Sequence, residues 1–200
     1  MSLLRPLAPQ SEQVRIEGRR VFLRTPAMSD FDAWASLREI SRDFLTPWEP
    51  IWPSDDLSRP AFRRRLKRYA QEMRDETGYA FFIFRQEDRA LIGGLTLSQV
   101  RRGVTQSCTL GYWMGQPYAG SGLMRDTMRA IVPFVFEHLG LHRLEAACVP
   151  NNEPSKAVLR RAGFQEEGLA RRYLRINGAW QDHVLFALLD SDLAARQPRA

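Results

Sequence analysis

The chain has 200 residues, 44% of them apolar and 26% charged. That length supports one domain with a self-sufficient core, and the composition excludes collagen-like, fibrous and disordered classes. Two cysteines, Cys108 and Cys148, make neither a disulfide framework nor a metal site and read as reduced core thiols. The formal charge of +6 comes from 29 Lys+Arg, nearly all arginine, against 23 Asp+Glu. No apolar run approaches the roughly 18 residues of a membrane span and no signal-peptide core opens the chain, so a soluble, cytoplasmic protein is expected.

Residues 1–17 carry Pro6 and Pro9 without periodicity and read as an N-terminal arm. Arg20–Thr25 alternates as a short strand, ended by Pro26. Ser29 then caps a helix to about Leu45 with an apolar face of Phe31, Trp34, Leu37, Ile40, Phe44 and Leu45. The prolines of 46–53 forbid regular structure there, yet Trp48 and Trp52 argue against an idle linker. A second helix runs from Ser58 to Asp75 with Pro60 in its first turn. Its basic run, Arg59, Arg63, Arg64, Arg65, Lys67 and Arg68, lacks interleaved aromatics; it reads as a solvated face, with weak ribosomal RNA contact as the alternative.

From Tyr79 the chain turns β-rich: Tyr79–Arg85, a turn, Ala90–Val100 weakened or bulged at Gly93-Gly94, then Ser107–Met114. A long helix spans Gly120–Leu139, with Pro133 expected to kink it. His142–Val149 is a strand, Asn152 caps a short helix ending at Gly163, and Phe164–Ile176 and Trp180–Leu189 make a hairpin across Asn177-Gly178. The order predicts one α+β domain over 18–192, with a short tail at 193–200 and a mixed, mostly antiparallel twisted sheet of about seven strands with four main helices.

Two segments carry chemistry. In Tyr112-Trp-Met-Gly-Gln-Pro-Tyr-Ala-Gly-Ser-Gly-Leu-Met124 a strand feeds a glycine loop that opens a helix. Backbone N–H groups over Tyr118, Ala119, Gly120, Ser121, Gly122 and Leu123 there suit a pyrophosphate. A Rossmann fingerprint fails because position 125 is Arg125, and no Walker Gly-Lys-Ser/Thr occurs. In the second segment, Arg143 to Phe164, a strand ends in Pro-Asn-Asn, and Asn152 and Ser155 project from the start of the next helix. Each segment alone also fits a plain turn and an ordinary N-cap.

Together they resemble the acetyl-CoA-binding core of the GNAT N-acetyltransferases, whose Arg/Gln-x-x-Gly-x-Gly/Ala loop aligns with Pro117–Gly122. The family's Asn-x-x-Ser…Gly-Phe aligns with Asn152, Ser155, Gly163 and Phe164. Where the family has Arg or Gln, this chain has Pro117, with Gln116 one residue earlier. Tyr112-Trp113, Glu167-Gly168 and Asn-Gly-x-Trp-x-Asp-His at 177–183 are similar to the RimJ/RimL-type ribosomal-protein N-acetyltransferases. Pro-Trp-Glu-Pro at 47–50 and Tyr-Leu-x-Ile at 173–176 point to the RimJ branch.

The resemblance implies direct attack of a neutral amine on acetyl-CoA, with no metal. It implies strands splayed beyond Met114 and Val149, a Met114 N–H at the thioester oxygen, Asn152 on the pantetheine arm, and Ser155 beside the sulfur as proton donor. An α-amine, with pKa about 7.7–8.0, suits this chemistry better than a lysine near 10.4. Glu145, acting through water, is the expected base and Glu49 the runner-up. Trp48, Glu49, Trp52 and Tyr173 are the expected acceptor contacts. The implied acceptor is the N-terminal alanine of the fifth small-subunit ribosomal protein. A small amine (amino acid, polyamine or drug) and a non-catalytic ribosome-assembly role are the alternatives, and either a monomer or a homodimer fits.

Overall fold

The computed structural model describes residues 14–194. Its strands are β1 (Arg15–Glu17), β2 (Val21–Arg24), β3 (Tyr79–Arg85), β4 (Leu91–Arg101), β5 (Ser107–Met114), β6 (Arg143–Cys148), β7 (Gln165–Ile176) and β8 (Ala179–Leu189). Its α-helices are α1 (Phe31–Ile40), α2 (Arg42–Leu45), α3 (Arg59–Arg74), α4 (Leu123–Pro133), α5 (Glu153–Ala162) and α6 (Asp190–Ala194). One sheet runs β1-β2-β3-β4-β5-β6-β8-β7, and its β5–β6 pair is parallel while its other neighbours are antiparallel. The expected α+β architecture forms with eight strands rather than about seven, because Arg15–Glu17 leaves the arm to pair with β2.

The sequence of β3, Tyr-Ala-Phe-Phe-Ile-Phe-Arg, sets the layering. Successive strand residues face opposite ways, so Phe81 and Ile83 join α4, while Phe82 and Phe84 join Trp34 of α1 and Phe62 of α3. Six consecutive residues of β3 are therefore buried. The sheet is covered on one face by α4 and α5 and on the other by α1 and α3. Edge strand β7 is exposed along almost all of its length and carries Arg171, Arg172 and Arg175, charges that oppose further strand pairing.

Three helix expectations are corrected. The helix expected from Ser29 to Leu45 begins as a 3-10 turn (Met28–Asp30) and breaks at Ser41, where φ is −103° and ψ 7°. Its start is held by Asp30 rather than Ser29: the Asp30 carboxylate accepts from the Ala27 N–H at 2.7 Å and pairs with Arg24. Ile40 and Phe44 face outward, 60% and 37% exposed; the buried stripe is Trp34, Leu37, Arg38, Ser41 and Leu45, partly polar, with Phe31 half-buried beside it. Finally, α4 starts at Leu123, not Gly120, and Pro133, which has no N–H to donate, marks its change into a π turn at Phe134–His138.

The bulge expected near Gly93-Gly94 lies where β4 shifts register against Phe84. The two glycines serve a close approach: a β-carbon on Gly93 would lie 2.4 Å from the Trp113 carbonyl oxygen, and one on Gly94 2.4 Å from the indole nitrogen. At the other end of the chain, Asn177 (φ 43°) and Gly178 (φ 80°) make the expected hairpin turn.

Candidate active site

β5 and β6 pair from Ser107–Leu110 against Arg143–Ala146 and no further. The Gly115 N–H donates to Ile92 O at 2.9 Å, so by strand alternation the N–H and C=O groups of Tyr112 and Met114 face away from β4. They point into the gap that opens toward the end of β6, where Ala147 and Cys148 pair only with β8. The same alternation sends the Tyr112 side chain to the α4–α5 face and Trp113 to the α1–α3 face.

On the α4–α5 side the loop after β5 forms an amide cradle. Tyr118 and Ala119 donate within the turn, to Gly115 O and Gln116 O at 2.9 and 3.2 Å. These two expected phosphate donors are thus already engaged. Gly120 (φ 72°) and Gly122 (φ 79°) adopt left-handed conformations open to a glycine, and the first helical bond is Asp126 N–H to Gly122 O. Among the described residues, the N–H groups of Gly120, Ser121, Gly122, Leu123, Met124 and Arg125 have no protein partner. The cradle therefore lies two residues further along than expected. Arg20 flanks it, its Nε 2.5 Å from the buried Asp126 carboxylate and its Nη1 3.3 Å from Ser121 O. Unpartnered amides at a helix N-terminus beside a cation fit the diphosphate of CoA, and the unpaired edge of β5 fits pantetheine amides.

Between cradle and gap, Asn152 Oδ1 accepts from the Ser155 N–H at 3.0 Å, capping α5 as expected. The Tyr112 hydroxyl lies 2.7 Å from Ser155 Oγ. Cys148, expected to be a reduced core thiol, is buried. Burial raises its pKa, with the Ser155 hydroxyl and the Lys156 and Arg160 charges opposing. Cys108 is pushed up to about 12 by burial.

On the α1–α3 side, a cavity of about 200 Å³ is lined by Glu49, Tyr69, Thr96, Gly111, Tyr112 and Trp113 among others. Glu49 is fixed there. Arg38 donates to both its oxygens at 2.7 and 2.6 Å, and the Trp52 indole donates at 2.7 Å. The guanidinium of Arg38 lies 4.0 Å from the Trp52 ring centroid and 4.9 Å from that of Trp113. The hairpin turn closes on this loop through Asn177 N–H to Glu49 O at 2.8 Å.

The expected residues thus divide. Asn152 and Ser155 are hydrogen-bonded to each other, the Met114 backbone faces the gap, and Glu49 and Trp52 form one hydrogen-bonded wall. Trp48 ends a 3-10 turn (Thr46–Trp48) without joining that wall. Tyr173 packs edge-on against His183 at 5.7 Å, 46% exposed and away from the cavity lining. Glu145 lies in the paired half opposite Thr109. Arg101 and Arg143 hold its two oxygens at 2.8 and 2.9 Å, so the assignment of Glu145 as base is revised. The basic face of α3 is largely ion-paired: Arg59 with Asp32, Arg64 with Asp55, Arg65 with Asp56 and Arg68 with Glu72. Among the described residues no His/Cys/Asp/Glu cluster could hold a metal, and no helix is long and apolar enough to cross a membrane.

Arg38, Arg20 and the Tyr112 side chain were not foreseen as site residues. Arg38 had a visible signal, an arginine on the apolar stripe of α1; the other two depend on strands brought together only by folding.

The acetyltransferase (GNAT) domain family matches residues 20–165. A probable N-acetyltransferase of Bacillus subtilis, YjcK, is 34% identical, covering 88% of this chain and 98% of its own. The [ribosomal protein uS5]-alanine N-acetyltransferase of Escherichia coli is also 34% identical, covering 90% and 93%. The structure of Mycobacterium smegmatis RimJ in complex with CoA-disulfide superposes with a TM-score of 0.85 at 32% identity, covering 90% of this chain and 89% of that one. With the family match spanning most of the sequence and the amide cradle in place, the chain belongs to the GNAT acetyltransferases and is an acetyl-CoA-dependent N-acetyltransferase.

Proposed function

We propose that this enzyme acetylates the N-terminal α-amine of a ribosomal protein in the cytoplasm, with the N-terminal alanine of the fifth small-subunit protein as the foremost acceptor. The observation that carries the reading is Glu49, one carboxylate held by Arg38 and Trp52 in the wall of a cavity beside the β5–β6 gap. Three of its acceptor positions are taken, leaving one to receive a donor such as an ammonium. The relatives that act on the uS5 alanine, and the RimJ likeness over nine-tenths of the chain, support the same acceptor class.

When bound, acetyl-CoA supplies an acetyl group activated as a thioester, which passes to the amine. The amides of Gly120 to Arg125, with Arg20 alongside, hold the diphosphate. The gap-facing groups of Tyr112 and Met114 take the pantetheine arm as an added strand, with the side-chain amide of Asn152 completing its contacts. The Met114 N–H stabilises charge on the carbonyl oxygen, and the Ser155 hydroxyl faces the sulfur. Glu49 orients the amine and receives its proton through water. An α-amine needs only a weak base near neutrality, whereas a lysine side chain costs about 3 kcal/mol more to deprotonate at pH 7.

Mass spectrometry of peptides incubated with acetyl-CoA tests this. An Ala-initiated peptide should gain one acetyl group on its α-amine, and the same peptide with a blocked N-terminus should stay inert. Spermidine and free amino acids should turn over about 100-fold less efficiently. Preferred turnover of a small amine would overturn the acceptor assignment; RNA retention without any transfer would overturn the enzymatic use of the site.

A further inference from the structure

The proposed reaction leaves one hydrogen bond at the gap without a task. The Tyr112 hydroxyl is 2.7 Å from Ser155 Oγ and 3.4 Å from the Ser155 carbonyl oxygen. Burial pushes this phenol well above the ordinary tyrosine range, so it keeps its single hydrogen. The shorter contact is the better use of that hydrogen. A serine oxygen that accepts from Tyr112 must aim its own hydrogen elsewhere. In this structure the Ser155 hydroxyl favours the ionised form of one sulfur, that of Cys148, against the effect of burial. The serine backbone is held in place at the helix start, its N–H tied to Asn152 Oδ1 at 3.0 Å.

We infer that Tyr112 is a positioning residue for acetyl transfer: by donating to Ser155 Oγ it fixes the serine hydrogen toward the leaving sulfur. The inference rests on the proposed placement of the CoA sulfur beside Ser155. In the transfer, the amine nitrogen bonds to the thioester carbon and the carbon–sulfur bond breaks. The electron pair leaves on sulfur, and the amine proton passes through water to Glu49. A serine hydroxyl is a much weaker acid than a thiol of pKa about 8.5. Ser155 therefore keeps its proton and stabilises the thiolate by a hydrogen bond, which the Tyr112 donation strengthens; water protonates CoA on release. This reading departs from the expectation that Ser155 donates its proton to the leaving thiolate.

The test uses Tyr112→Phe, Ser155→Ala and the double variant, each checked for thermal stability and for CoA affinity by calorimetry. The thiol of bound CoA is titrated by its ultraviolet thiolate absorbance, with desulfo-CoA complexes as the reference. In the unmodified enzyme its pKa should lie about one unit below 8.5. Ser155→Ala should abolish that lowering and reduce kcat about 100-fold. Tyr112→Phe should remove about half of it and reduce kcat about 10-fold, with the KM for acetyl-CoA within about 3-fold. The double variant should match Ser155→Ala alone. A normal Tyr112→Phe enzyme beside an impaired Ser155→Ala enzyme overturns the role of Tyr112 and leaves Ser155 standing, as do losses that multiply in the double variant. A Ser155→Ala enzyme normal in both readouts overturns the sulfur placement itself and the inference with it.

Discussion

The two sides of the β5–β6 gap are made of different material. On the α4–α5 side the cradle is backbone: unpartnered amides from one short stretch, Gly120 to Arg125, turned outward by two left-handed glycines. On the α1–α3 side the wall is side chain. Arg38 of α1, Glu49 and Trp52 of the following loop, and Trp113 of β5 meet only through folding. A backbone cradle responds to changes in chain conformation or local charge and little to most side-chain identities. The side-chain wall hangs on one ion pair packed between two indoles, so single polar substitutions should reach it.

The largest effect should come from charging the cradle. A β-carbon on Gly120 meets nothing within 4 Å, so Gly120→Asp adds a carboxylate and left-handed strain without a steric clash. We expect about 100-fold weaker acetyl-CoA binding in calorimetry. Gly122→Asp carries the same strain, but its β-carbon would lie 3.2 Å from Arg20 Nη2. That guanidinium should partly neutralise the new charge and hold the loss to about 10-fold. Equal losses would mean that strain rather than charge sets the affinity; no loss in either would remove the diphosphate from this loop.

Glu49→Gln strikes the other side. The amide keeps the shape and removes the charge that faces the amine, so the KM for an Ala-initiated peptide should rise about 10-fold while that for acetyl-CoA holds. The variant also leaves Arg38, only 7% exposed, without its counter-ion. A destabilisation of about 3 kcal/mol in denaturant unfolding should accompany the kinetic change. A rise in both KM values would show that the wall and the cradle are coupled, contrary to the division drawn above.

The same division governs what could be read before folding. The cradle, the Asn152 cap and the Asn177-Gly178 turn are local: a few adjacent residues contain both the conformational demand and the groups that meet it, so their sequence spelled them out. The wall joins residues far apart in the chain. Glu49 and Trp52 could be suspected from a tryptophan-bearing proline loop; their anchor Arg38 showed only as an arginine on an apolar stripe, with nothing local to name its partner or to signal the break at Ser41. Ser41 is itself fully buried and accepts the Gln116 N–H at 2.9 Å, a contact 75 residues apart in sequence. Pairing register has the same character. That Glu145 falls in the closed half of β5–β6 depends on where two strands part, which no single strand encodes.

The smallest expected effect makes the sharpest use of that last point. Glu145 is on β6, one of the two strands that form the gap, and it is a carboxylate, so composition alone leaves it a plausible base. Its geometry assigns it another task. Arg101 and Arg143 hold its two oxygens, and Arg143 also pairs with Glu167 of β7. The Arg143 guanidinium is correspondingly pushed above its ordinary range, first by Glu167. A carboxylate so engaged ties β4, β6 and β7 together at the shut end of the sheet. Glu145→Gln should therefore leave kcat and its pH profile within about 2-fold of the unmodified enzyme, and stability within about 1 kcal/mol, since the pair is partly solvated. A fall in kcat of about 100-fold or more, with loss of the acidic limb of the pH profile, would return the base to Glu145. The proton path would then start in the closed half of the sheet, and Glu49 would be left with orientation alone.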